Sequence, residues 1–502
     1  MPRRGDVESS ATLGAAAAAG WAYLAEGGAH LVLERRDVAD DDPNVAGRVL
    51  RLRKTKTEPS SFGEDVARDD ARDDALEPRS NALTDDSLWA SHPGFENARS
   101  AEDRSWAFAH NVMRPLLGDR FVDPGAFAPV DHAFLRAVAD AVEPARPRAR
   151  CALSRIDPAA TRAALAPDAR RVDRVRVGAE DGGAAAGAAA GAAADWFSVE
   201  IKPKCGFALP GDPESTSRFA MHQALRVRSG EVRRASAYDP LDLFAGCDEF
   251  ATNSRASSIR ESTTRRVRAL RALADAPRNN LRVARRGFRW PSVATTRLDS
   301  DSESSSSDSL DAFVSRTDGP ANLNPESFRL GGAARLLDLV NDALAASGVL
   351  AALLRAQRRD TIGAEAAAAL YESLSSDVVS DVVSDDLKLK KMRDFVVAAV
   401  AKDCSVLVAF RGERDDDDAF DDDGTFAVAA GPCHAEGGTL PRVRYRCRVS
   451  VVDVDLKPIA NITKWLATHR RIARNWATEK RAARSDAQPL ISDDDSISRR
   501  NP

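Results

Sequence analysis

Glu200-Ile201-Lys202-Pro203-Lys204-Cys205-Gly206-Phe207 follows directly on the apolar run Trp196-Phe197-Ser198-Val199, and residues 196–202 read as a strand. On an extended segment, residues two apart point the same way. Pro203 fixes its own φ and keeps Lys202 extended. Two ammonium groups therefore project together from a stiff strand end, which suits an anion bearing several phosphates. A solvated lysine pair has the same spacing, but the apolar flank and Gly206-Phe207 favour a site. The pair also stands out against its background: of 72 basic residues, 11 are Lys and the rest Arg.

Outward from this strand, the chain alternates structured blocks with biased tracts. Residues 21–33 read as strand, Gly turn, strand, and 48–54 alternate charged and apolar residues as a half-buried strand does. Residues 105–117 and 132–143 read as amphipathic helices, 333–357 as a helix and 362–374 as another. Residues 395–400, 405–410 and 444–455 read as strands, and 459–483 as a basic helix. Between them lie the acidic stretch 57–90, the Gly/Ala tract 178–195, the Ser/Asp tract 299–311, the repeat at 375–386 and the acidic loop 412–424. Strands first, then helices mixed with strands, suggest an α+β protein of two lobes rather than a regular βαβ series. The expected organisation is a tail at 1–20, an N-lobe at 21–170, a C-lobe at 171–485 with the tracts as insertions, and a disordered tail at 486–502.

With 502 residues the chain can bury a large core. A formal net charge of −4 argues against a nucleic-acid-coating protein, and no apolar run approaches the roughly 20 residues of a membrane span. Six Cys without a CxxC pair suggest a reducing compartment, nucleus or cytoplasm. Cys433-His434 is the one adjacent Cys/His pair, with Cys404 and Cys447 at unsuitable spacing, so zinc is not expected.

Further chemistry clusters in short blocks. Glu26-Gly27-Gly28-Ala29-His30 sits in the first hairpin; glycines let backbone N–H groups approach phosphates, although an ordinary turn looks the same. Arg51 follows in Val49-Leu50-Arg51-Leu52-Arg53-Lys54, and a Gly-rich hairpin before a strand bearing a cation is the N-lobe logic of protein-kinase-like phosphotransferases. Arg218, His222 and Arg226 recur every four residues on one helical face. Tyr238-Asp239-Pro240-Leu241 reads as a turn in an interlobe packing motif, and Asn279-Asn280-Leu281-Arg282 offers two amides and a guanidinium. Asp403 lies in Ala401-Lys402-Asp403-Cys404-Ser405. Asp453 and Asp455, read as facing one side with Lys457 in register, end another strand; carboxylates there suit Mg²⁺.

These blocks resemble the inositol-pentakisphosphate 2-kinase family. EGGAHLVL, VLRLRK, RPLLGDRFVDPG at 114–125, EIKPKCGF, RFAMHQALR, YDPLDLFAG, NNLRV, AKDCS and DVDLKP occur in the family's order from about Trp21 to Lys464, covering about half the chain. The resemblance implies a two-lobed kinase-like fold with a β-rich N-lobe and a larger mixed C-lobe that binds inositol phosphate. It implies ATP and Mg²⁺ as cofactors and phosphorylation of the 2-hydroxyl of inositol pentakisphosphate to give phytate. Gly27, Gly28 and Arg51 would meet nucleotide phosphates, with a hinge around Asp168 on the adenine side. Arg150, Lys202, Lys204, Arg226, Asn279, Asn280, Arg282 and Lys457 would bind inositol phosphate. Asp403 would be the general base, Lys202 would offset developing charge, and Asp453 would hold Mg²⁺. His30, Ala149, Asn461 and Trp465 depart from the family's usual residues, and Arg226 stands where Lys is common. A monomer acting on a small molecule, with neither nucleic acid nor membrane as partner, is expected; a non-catalytic inositol-phosphate-binding relative is the alternative.

Overall fold

The computed structural model describes residues 12–35, 45, 47–57, 83–172, 196–208, 216–247, 256–285, 288–291, 309–315, 332–375, 382–412, 425–430, 433–435, 438–440 and 443–487. The tracts 178–195 and 413–424, most of 299–311, and residues 488–502 lie outside them.

The N-lobe is an antiparallel sheet of β1 (Trp21–Glu26), β2 (His30–Arg35), β3 (Arg48–Lys56), β6 (Arg162–Pro167) and β4 (Ala126–Pro129), with β5 (Ser154–Ile156) paired to the end of β3. Alternation in β3 decides what faces where. Leu50, Leu52 and Lys54 point into the lobe and are buried, whereas Arg51 and Arg53 point away. Helix α4 (His132–Val142), N-capped by the Asp131 carboxylate, covers the inner face with Phe134, Leu135 and Val138. The short α5 (Arg148–Leu153) leads into β5.

The C-lobe sheet is antiparallel in the order β11 (Thr425–Ala430), β14 (Val443–Val452), β10 (Ser405–Gly412), β7 (Trp196–Ile201), β8 (Leu281–Arg285), β9 (Phe288–Trp290). A separate ribbon pairs β12 (Cys433–Ala435) with β13 (Gly438–Leu440). Strand β10 is covered on both faces, and its residues 406–410 read as an unbroken apolar run, as a central strand does. Around it pack α10 (Ala333–Ser347), α11 (Val349–Gln357), α12 (Gly363–Leu374) and α13 (Val382–Ala401). Helices α6 (Arg218–Arg228), α7 (Pro240–Leu243), α8 (Ala256–Asp275), α9 (Leu310–Ser315) and α14 (Ile462–Ala487) complete the lobe.

Several expectations need correction. Residues 83–122 do not belong to the N-lobe. Helices α1 (Asp85–Trp89), α2 (Ala101–Phe108) and α3 (Arg114–Leu117), with a π turn at Ala109–Met113, bury Leu88, Trp89, Phe108, Met113 and Leu117 in the C-lobe core. The chain thus leaves the N-lobe after β3 and returns at β4. Residues 15–20 are not a loose tail: this 3₁₀ turn packs against α4 and buries Ala18 in the N-lobe core. Residues 395–400 are helical, the last turns of α13. A short, almost wholly buried apolar run has no periodicity of its own, and the helix entering it carries through. Residues 333–357 are two helices bent by 66° at Gly348, whose φ of 71° ends the first. Among the described residues no single helix is long and apolar enough to cross a membrane.

Candidate active site

Antiparallel register assembles the site. Ile201 at the end of β7 pairs with Val406 near the start of β10 and with Leu281 at the start of β8; Ser405 pairs with Val452 at the end of β14. Four segments distant in sequence therefore meet at one edge of the C-lobe sheet. They are Lys202-Pro203-Lys204 leaving β7, Asn279-Asn280 entering β8, Asp403-Cys404 entering β10 and Asp453 leaving β14.

Asp403 is the centre. Lys204 Nζ donates to its Oδ1 at 3.2 Å and Lys457 Nζ to its Oδ2 at 2.6 Å. Burial would favour the neutral acid, but Lys457 and Lys204 outweigh it and hold the carboxyl at about 2. Lys204 is pulled the other way: desolvation lowers its pKa, and Lys202 and Lys457 add to that against Asp403. Lys202 Nζ reaches Asp453 Oδ2 at 3.3 Å. Ser405 Oγ lies 3.4 Å from the same oxygen and donates to Glu200 Oε1 at 2.9 Å, so Glu200, Ser405 and Asp453 form one chain of oxygens.

Two left-handed residues shape this edge, Lys204 with φ 63° and Asp453 with φ 60°. They replace the simple alternation expected of extended segments. Strand β14 stops at Val452, so Asp453, Asp455 and Lys457 turn to three different partners: Lys202, Arg51 and Asp403. The Lys202–Lys204 segment is held from behind. Tyr238 Oη donates to the Pro203 carbonyl at 2.7 Å, which makes YDPL a support within the C-lobe rather than an interlobe motif. Fully buried Gln357 accepts from Gly206 N–H at 2.8 Å and donates to the carbonyls of Lys204 and Ala401 at 2.8 and 3.1 Å. Gly206 is required here because a Cβ would fall 2.4 Å from the Phe244 ring.

The N-lobe closes over this edge. Gly27 and Gly28 form the open tip of the first hairpin, where an added Cβ would meet nothing within 4 Å. Beneath them Glu26 accepts from Lys54 Nζ at 2.7 Å and from Arg146 NH2 at 2.9 Å, all three side chains 1–2% exposed. Burial works against the Glu26 charge, and the hydrogen bonds from Arg146 and Lys54 win, lowering its pKa. Arg51 is not free: it forks onto Asp455 across the cleft. His30, beside them, is pushed down to about 4 by burial first and Arg51 second.

The remaining expected residues lie as follows. Asp168 is buried and its carboxylate takes a fork from Arg170 at 2.8 and 2.6 Å, so it faces Arg170 and not an open pocket. Arg150 is exposed on α5; the buried contact belongs to Arg146, four residues earlier. Arg226 on α6 donates to Glu231 Oε2 at 3.0 Å. Asn279 is exposed, while Asn280 is buried, receives Lys202 N–H on its carbonyl at 2.9 Å and has an unpartnered side-chain oxygen. Arg282 lies 3.7 Å from Glu200. Lys402 turns away to Asp360 at 2.8 Å, over the Phe207 ring. Sequence reading passed over Lys54, Arg146, Gln357 and the pairing of Asp455. The scarcity of Lys was a usable signal for Lys54, which stands in the quoted VLRLRK block.

A β-rich lobe with a glycine hairpin, set over a mixed lobe whose sheet edge carries three lysines and two aspartates, defines a two-lobed protein of kinase-like α+β build. The comparisons make that class particular: the family model described as inositol-pentakisphosphate 2-kinase matches residues 23–471, and the chain belongs to this family. It is 28% identical to the inositol-pentakisphosphate 2-kinase of Arabidopsis thaliana, over 94% of this chain and 96% of that one. It is 25% identical to the rice protein (Oryza sativa subsp. indica, 90% and 92% covered) and to that of Danio rerio (71% and 79% covered), both of the same description.

Proposed function

We propose that this chain transfers the γ-phosphoryl group of ATP to the 2-hydroxyl of inositol 1,3,4,5,6-pentakisphosphate, giving the hexakisphosphate. The observation that carries the reading is the Asp403 carboxylate held between Lys204 and Lys457, with Lys202 on Asp453 beside it. A carboxylate kept anionic can accept a hydroxyl proton, and the ammonium groups around it are ready ligands for the phosphates flanking that hydroxyl. As those phosphates arrive they exchange with Asp403 for Lys204 and Lys457. The carboxylate then loses the charges that depress its basicity, so the base is released by the substrate it serves. Lys202 stays near the transferred group and offsets charge developing in line with the attacking oxygen.

Mg²⁺ is commonly held by one or two carboxylates plus substrate phosphates. Asp453, with Glu200 tied to it through Ser405, supplies hard oxygen donors of this kind. When bound, the ion would neutralise phosphate charge and fix the phosphates' orientation. Gly27 and Gly28 leave the hairpin tip open above this place, with the Gly27 N–H closing the turn onto the His30 carbonyl at 2.9 Å. The test is to incubate the purified chain with ATP, Mg²⁺ and defined inositol pentakisphosphate, and to assign the product by ³¹P NMR. Phosphorylation at the 2-position is expected; binding without turnover, or transfer to another position, overturns the reading.

A further inference from the structure

Arg51 projects from the outward face of β3 and meets Asp455 from the other lobe, NH1 lying 3.3 Å from Oδ1 and NH2 against Oδ2. A two-pronged pair of this kind fixes the plane of the guanidinium as well as its distance. Asp455 is itself held. The Leu456 N–H donates to Ser105 Oγ on α2 at 3.2 Å, and the Ser105 hydroxyl supports the Asp455 carboxylate. One side chain thus ties the N-lobe, α2 and the loop that carries Asp453. A guanidinium has five N–H donors; Asp455 takes the NH1–NH2 edge and His30 Nδ1 lies 3.5 Å from NH2, which leaves the Nε–H and the outer NH1 hydrogen for a second anion.

We propose that Asp455 is a positioning residue for phosphoryl transfer: it holds Arg51 across the cleft, turned toward the nucleotide phosphates between Gly27-Gly28 and Asp453. This rests on the phosphotransferase reading above. Asp455 and the phosphates use different edges of Arg51, so they share it and do not compete for it.

The test is Asp455→Asn, which keeps shape and removes charge, in the full chain. Its readouts are binding of a fluorescent ATP analogue with Mg²⁺, and KM and kcat for both substrates. Nucleotide affinity and ATP KM should weaken about tenfold, the loss of one oriented charge-assisted contact. The KM for inositol pentakisphosphate should move no more than about twofold, and Asp455→Glu should recover part of the nucleotide affinity. Tighter nucleotide binding in Asp455→Asn would make Asp455 a competitor and overturn the proposal. So would unchanged binding and kinetics with a lowered melting temperature, which would make the pair a lobe tie alone. Wild-type turnover tests the kinase reading separately, and nucleotide binding tests Asp455 whether or not turnover is seen.

Discussion

Glu26→Gln is the perturbation whose size follows most directly from the structure. Glu26 ends β1, one residue before the glycine hairpin, and it faces both Lys54 and Arg146. Arg146 keeps other partners when Glu26 is neutralised, namely Glu143 at 2.9 Å and the Ser154 carbonyl at 2.9 Å. Lys54, 2% exposed, keeps no carboxylate among the described residues. Removing one partner of a buried ion pair costs about 3–5 kcal/mol because the other charge stays buried and uncompensated. Gln still accepts one hydrogen bond, so the lower end, ~3 kcal/mol, is the expected loss. For a unit of 150–250 residues that corresponds to roughly 6–12 °C in melting temperature. Melting and urea titration of the unliganded chain measure it. Glu26→Gln with Lys54→Met removes both charges and should recover on the order of 2 kcal/mol relative to the additive sum. The pH dependence gives a second check. The folded Glu26 pKa lies below its ordinary 4.5, so its contribution is fully present above that value and is lost as pH falls through the lowered one. The Gln variant should therefore have a flatter acid limb. A loss under about 1 kcal/mol, or strict additivity in the double variant, would refute the argument that this triad anchors the hairpin.

Asp403→Asn should lower kcat by roughly 10²–10⁴-fold, the usual worth of a positioned base, with inositol-phosphate affinity by calorimetry equal or tighter because Lys204 and Lys457 are released; near-normal turnover would mean another group takes the proton. Lys204→Met should raise the KM for inositol pentakisphosphate more than that for ATP in steady-state kinetics, and the reverse order would remove Lys204 from the substrate side. Gln357→Leu leaves the Gly206 N–H and the Lys204 and Ala401 carbonyls without their buried partner, at about 1–3 kcal/mol for each group orphaned. Its urea midpoint should fall accordingly, and wild-type stability would show that those backbone groups find other partners.

Local patterning made most strands and helices legible. Residues 48–54 alternate, 132–143 repeat at helical spacing, and 405–410 form an apolar run that became the central strand. Residues 395–400 failed for want of any period, since every element of a buried helix end can also be written as a strand. The assignment of 83–122 to the wrong lobe has a different cause. Leu88, Trp89 and Phe108 announce that they are buried, but not against which sheet. The site divides the same way. Lys202, Lys204, Asp403 and Lys457 were readable because each stands in a short dense block at a strand end. The partner of Arg51 was not, because Asp455 lies 404 positions away and only the closing of one lobe over the other brings it there.

The net charge of the chain gains its meaning from these pairings. A chain of net charge −4 looks ill-suited to a polyanion. Yet in the cleft Lys204 and Lys457 are matched to Asp403, Lys202 to Asp453 and Arg51 to Asp455. These cations are not left bare, since an unmatched cluster of them would repel itself. On the proposed function a substrate phosphate would enter by exchange, taking over ammonium groups that aspartates already hold in place. The aspartates so released are the proposed base and the proposed metal ligand. On the proposed function the acidic residues hold the lysines in place before binding and perform the chemistry after it, which is how a site rich in carboxylates would still receive phosphates.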